Sequence, residues 1–151
     1  MARAKYQVLV LPFQKYEDKV LYCIFQRSDM EIWQFISGGG EDEDPSALVS
    51  AKREAFEEAH ILAKEKYTVL ETQCSIATEF FEKARIIWGE SCLVIPEYSF
   101  AVEISNVNLQ ISHEHTKYEW VDYDTAIRKL RYDSNRVALW ELDNKIRLGL
   151  V

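Results

Sequence analysis

Apolar and polar positions alternate in a way that predicts strands on both sides of one central helix, followed by a helical tail. Tyr6 to Phe13 is rich in β-branched and apolar residues and reads as a buried strand. The polar segment Lys15 to Lys19 turns the chain, and Val20 to Gln26 returns as the second arm of a hairpin. Trp33 to Ser37 is a short strand leading into Gly38-Gly39-Gly40, which reads as a flexible turn. An acidic loop then opens a helix near Asp44-Pro45, with the aspartate as cap and the proline at the first helical position. The helix ends near Ala59 or His60. Tyr67 to Glu79 and Tyr98 to Ile104 are expected as further strands, with mixed signals across Arg85 to Pro96. Asp122 to Leu130 predicts a short helix, acidic at its start and basic at its end. A last helix capped at Asp133 or Ser134 carries Val137, Trp140, Leu142, Ile146 and Leu148 on its expected apolar face. The fold class expected is α+β, a mixed sheet sandwiched between helices, as a single domain over residues 1–151.

Charge narrows the possible partners. A net charge of −7 argues against a sequence-independent nucleic-acid binder, which needs a basic stripe. It leaves room for a small anion, because a divalent metal reverses the local sign. Cys23, Cys74 and Cys92 lack metal-ligand spacing and sit in apolar runs, as reduced core thiols do. Val8 to Phe13 is too short to span a membrane, and no signal peptide is visible, so the expected location is the cytoplasm.

The central helix carries the chemistry. At about 100° per residue, Glu54, Glu57 and Glu58 fall within roughly a third of its circumference. Leu48, Ala51, Ala55 and Ala59 fall on a neighbouring arc, small and apolar enough to press on a sheet. Any one of these glutamates reads equally well as a solvated acid. Three on one edge of a packed helix repel one another and favour a bound cation.

From Gly39 to Ile61 the chain resembles the Nudix hydrolase family, whose signature is G-x5-E-x7-R-E-U-x-E-E-x-G-U with U a bulky apolar residue. Gly39, Arg53-Glu54, Ala55, Glu57-Glu58 and Ile61 take matching positions. Pro45 stands where the first glutamate is expected, and His60 where the second glycine is expected. Glu41, Asp42, Glu43 and Asp44 offer substitute partners for Arg53. His60 is expected to act as a tolerated left-handed cap, costing about 1 kcal/mol against glycine. Flanking segments are similar to the dihydroneopterin triphosphate (also dATP) pyrophosphohydrolase branch: Gln26 to Asp29, Ile32 to Gly38, Glu114-His115-x-x-Tyr118-x-Trp120 and Ser134 to Arg136.

The resemblance implies a set of roles. Glu54, Glu57 and Glu58, with the Gly39 carbonyl, would hold Mg²⁺, with Mn²⁺ as its substitute. Glu114 is the outside contributor, as metal ligand or base; the alternative is an ordinary loop acid. His113 and His115 flank it and read as loop-packing residues ahead of phosphate partners. Arg53 supports the site, with Gly38 and Gly40. Arg27 is a phosphate candidate or an exposed salt-bridge arginine. Trp33 and Gln34 frame the base, unless the tryptophan is core. Asn135 is a polar substrate contact or a helix start.

The implied activity is Mg²⁺-dependent cleavage of a nucleoside triphosphate, such as dATP, or of dihydroneopterin triphosphate, to monophosphate and pyrophosphate. Dinucleoside polyphosphates and nucleotide sugars stay open, because the motif specifies the diphosphate and not the appended group. A Nudix fold that senses its ligand without turnover is the contrasting class, favoured by Pro45 and His60 and opposed by the intact glutamates. The partner expected is a small molecule, with no nucleic-acid polymer and no membrane; monomer and homodimer both stay open.

Overall fold

A computed structural model describes residues 3–151. The period-two alternation of the first strand organises it. In β1 (Arg3–Tyr16), Val8 and Val10 face one side of the sheet, while Leu9, Leu11 and Phe13 face the other; all five are buried. A turn at Glu17-Asp18 leads to β2 (Lys19–Arg27), antiparallel to β1 from Phe13↔Tyr22 to Tyr16↔Lys19. β3 (Trp33–Gln34) pairs with β2, and β4 (Ile36–Glu41) runs antiparallel to β1. After helix α1 (Ala47–Ala59), β5 (Lys66–Ala77) and the short helix α2 (Ala84–Trp88) lead to β6 (Val94–Glu103). β6 is parallel to β1 on one side and antiparallel to β5 on the other. β7 (His115–Val121) pairs with β2. Helices α3 (Tyr123–Lys129) and α4 (Asp133–Arg147) close the chain. The mixed seven-stranded sheet lies between α1 on one face and α3 and α4 on the other, as the α+β expectation required.

Five readings of the sequence need correction. Gly38-Gly39-Gly40 is not a turn: it lies within β4, and none of the three has a positive φ. Helix α1 is capped by Ser46, whose hydroxyl accepts from the Val49 amide at 3.3 Å, so Pro45 precedes the cap. β7 carries no clear apolar pattern: after the buried His115, Thr116 and Lys117 are exposed and the rest are half buried. On α4 the buried positions are Ala138, Leu139 and Leu142, with Asn135 and Asp143, while Val137 and Trp140 are 52 % and 60 % exposed and Leu148 lies outside the core. All three cysteines are free, but only Cys23 is a core thiol. Among the described residues, no helix is long and apolar enough to cross a membrane.

Candidate active site

Helix α1 lies close on the sheet because both surfaces are small. Ala51, Ala55 and Ala59 are fully buried, and the glycines opposite leave room. A Cβ added at Gly38 would fall 2.1 Å from Cδ of Glu54. At Gly39 it would fall 2.6 Å from Nε of Arg3, and at Gly40 2.1 Å from the Tyr6 ring. The run therefore serves close approach rather than a left-handed backbone.

Arg53 ties loop, strand and helix together. Its Nη2 donates to Asp44 at 2.8 Å and to the Gly39 carbonyl at 3.1 Å, and its Nη1 donates to Glu54 at 2.9 Å. Asp44 also accepts from the Ser50 hydroxyl and from the Glu41 amide. Burial opposes ionisation of Asp44, but these donors outweigh it and hold the carboxyl below the usual range.

Glu58 is 3 % exposed, and its Oε1 shares a 3.0 Å hydrogen bond with Nε2 of His115. Its Oε2 is buried with no protein partner. Glu114, on the turn before β7, joins them: ligand atoms of Glu58, Glu114 and His115 lie within 4.8 Å of one another. Burial pushes Glu58 up to about 10, reinforced by Glu114, Glu54 and Glu57. Burial likewise raises Glu54 to about 7, with Glu57 adding to the rise and Arg53 opposing it. Burial lowers the pKa of His115, which favours the neutral imidazole. Glu57, with its side chain 54 % exposed, stands outside the tight cluster but repels Glu54 and Glu58. Of the three helix glutamates, Glu58 alone meets Glu114 and His115 closely.

A cleft of about 980 Å³ opens beside this cluster, lined by Gly38, Gly39, Glu58 and Glu114. Arg27, Gln34 and Asn135 also line it. Arg27 is held by Asp29 through two bonds, at 2.8 and 2.6 Å. Asn135 is buried, and its Oδ1 accepts from the Phe35 amide at 2.8 Å, which makes it a brace for the β3–β4 junction as well as part of the cleft wall. Trp33 does not line the cleft: it packs on the core edge between Lys117 and Lys129, so the core reading applies. His113 lies on the rim. His115 is no simple loop filler, since it holds Glu58.

A NUDIX domain model matches residues 5–140. The chain belongs to the Nudix family. A solved Listeria monocytogenes protein, assigned as a NUDIX hydrolase, is 36 % identical, with 97 % of each chain covered and a TM-score of 0.85. The E. coli dihydroneopterin triphosphate pyrophosphohydrolase, at 21 % identity, covers 92 % of this chain and 94 % of its own with a TM-score of 0.74. A C. elegans Ap4A hydrolase, at 20 % identity, covers 95 % and 98 % with a TM-score of 0.70. These two share the fold. No curated protein matches.

As a Nudix hydrolase, the chain acts on phosphoric anhydride bonds. Local contacts accommodate its two departures from the Nudix signature. Asp44, one residue before Pro45, supplies the carboxylate that pairs with Arg53. His60 takes the left-handed cap, with φ 57°, and its amide bonds back to Ala55 and Phe56, while its ring packs on that of Phe56. Nudix hydrolases generally use a divalent cation, and the orphaned Glu58 Oε2 beside Glu114 is a donor set that fits one. Arg3 is among the cleft residues that the sequence did not mark, with Gln7 and Glu97. Its guanidinium lies over Gly39 and stacks 4.6 Å from the Phe81 ring. A lone arginine near the chain start carries no signal until β1 places it.

Proposed function

We propose that the chain is a Mg²⁺-dependent pyrophosphohydrolase that cleaves a nucleoside triphosphate, such as dATP, or dihydroneopterin triphosphate, to the monophosphate and pyrophosphate. The observation that carries the reading is the buried Glu58 carboxyl, with Oε2 lacking a partner and Glu114 and His115 close by, at a cleft. A carboxyl taken out of water beside a second one, with no counter-charge between them, costs free energy unless a cation or a proton joins it. Glu58, Glu114, Glu54 and Glu57, with the Gly39 carbonyl, would hold Mg²⁺ or Mn²⁺ through oxygen, the donor type these hard cations take. When bound, the cation supplies charge neutralisation on the phosphates and an activated water.

The chain's own residues do the rest. His115 fixes the Glu58 carboxyl, and Arg53 fixes that of Glu54. Glu114 is exposed and, as the alternative to holding the cation, would take a proton from the attacking water at a carboxylate oxygen. Arg3 and Arg27 line the same cleft and offer guanidinium charge to phosphate oxygens. Gln34 and Asn135 complete its polar wall.

The test is a screen with and without Mg²⁺, read as pyrophosphate release from dATP, other nucleoside triphosphates and dihydroneopterin triphosphate, and as mononucleotide release from dinucleoside polyphosphates and nucleotide sugars. Release from a triphosphate only with the cation is expected. Ligand-induced stabilisation without product across the whole panel would place the chain among sensing modules instead.

A further inference from the structure

The sheet floor of the cleft holds a second polar group that the phosphate chemistry does not use. Register puts Gly39, Gln7, Glu97 and Cys74 in one row across β4, β1, β6 and β5. In-register neighbours point to the same face, and all four line the cleft. Glu97 therefore stands two strand spacings, roughly 10 Å, from Gly39. That is the reach of a sugar or short side chain between a bound phosphate and its heterocycle.

Glu97 is only 4 % exposed, yet the hydrogen bond it accepts from Gln7 Nε2 is long, at 3.4 Å. Arg3 donates to the other end of the same amide, Gln7 Oε1, at 2.9 Å. The arginine thereby fixes which way the Gln7 amide faces, with its N–H side toward Glu97. A carboxylate has about four lone-pair sites; Gln7 fills one weakly and the Ser134 side chain bonds to another, which leaves acceptor capacity for a ligand. Phe80, Phe81 and Tyr132 line the same cleft, and Phe80, 76 % exposed, offers ring surface to a flat ligand.

We propose that Glu97 is a specificity-determining residue that reads the heterocycle of the substrate, selecting a 2-amino-4-oxopyrimidine edge, as in guanine or a pterin. Such an edge presents a ring N–H and an exocyclic amine side by side, the two-donor pattern that a carboxylate accepts in parallel. The Gln7 amide supplies a neighbouring donor for the ring carbonyl. Adenine and hypoxanthine each present only one of the two donors, so the inference narrows the proposed substrates away from dATP and toward dihydroneopterin triphosphate or a guanine nucleotide. The inference rests on the hydrolase reading of the same cleft, and its test separates the two.

The experiment compares kcat/KM for GTP, ITP, ATP and dihydroneopterin triphosphate, and calorimetric binding of GMP and IMP, in the native chain and in Glu97→Gln. ITP differs from GTP only by the missing amine. The native chain is expected to favour GTP over ITP, and GMP over IMP, by at least about tenfold, since a polar site rejects a ligand that leaves it unpaired. Folded Glu97→Gln is expected to bring both ratios to within about threefold. The pterin arm shows which of the two ring systems is preferred. Equal treatment of GMP and IMP by the native chain, or an unchanged ratio in folded Glu97→Gln, overturns the proposal. Absence of hydrolysis on every triphosphate counts against the enzymatic reading alone, because the GMP and IMP comparison needs no turnover.

Discussion

Asp44 shows how a single side chain can absorb a departure from a motif. Its carboxyl accepts from Arg53, Ser50 and the Glu41 amide, whereas Pro45 beside it is exposed. Asp44→Ala strands these donors and is expected to cost about 1–3 kcal/mol, read from urea unfolding. Pro45→Glu is expected to change stability by less than about 0.5 kcal/mol, since the position it would restore is already served. A loss of similar size in both variants would place the brace elsewhere. His60 offers the converse case, a residue held at φ 57° where glycine is free of strain. His60→Gly is expected to raise stability by up to about 1 kcal/mol, less what the ring contact with Phe56 contributes.

At the scale of elements, the glycine strand and α1 fit each other face to face. Gly40→Ala drives a methyl into the Tyr6 ring, and Gly38→Ala drives one into the Glu54 carboxyl. Each is expected to cost about 1–3 kcal/mol in a thermal or urea melt, and Gly38→Ala to displace a site carboxylate as well. The hairpin, α1 and α3 were legible because their apolar periods and polar breaks agree with their final burial. The glycine run was misread because glycine marks turns and close approaches alike, and only the facing side chains tell them apart. The face of α4 was misread because Val137 and Trp140 look like core residues, while the helix buries Ala138, Leu139 and the amide of Asn135 instead. In the site, the carboxylates were visible as a pattern, but the tie between His115 and Glu58 is long-range and needs β7 beside α1. Arg3 needed the register of β1 against β4.

For the molecule as a whole, the raised carboxyls make stability depend on pH and on metal together. Glu54 and Glu58 lie above the ordinary 4.5, at about 7 and about 10, so between those values the folded chain binds more protons than the unfolded one. Their contribution is full below 4.5 and is lost as the pH rises through 7 and onward. In chelator, the melting temperature is therefore expected to fall from mildly acidic to mildly basic buffer, and Mg²⁺ to reduce that fall by stabilising the ionised pair. The measurement closest to the central claim pairs calorimetric titration of Mg²⁺ with pyrophosphate release in the native chain and in folded Glu58→Gln. The account predicts saturable Mg²⁺ binding and cation-dependent release in the native chain, with Glu58→Gln binding Mg²⁺ at least about tenfold more weakly and losing about 10²-fold or more in kcat. Native-like Mg²⁺ affinity and native-like release in folded Glu58→Gln would contradict it.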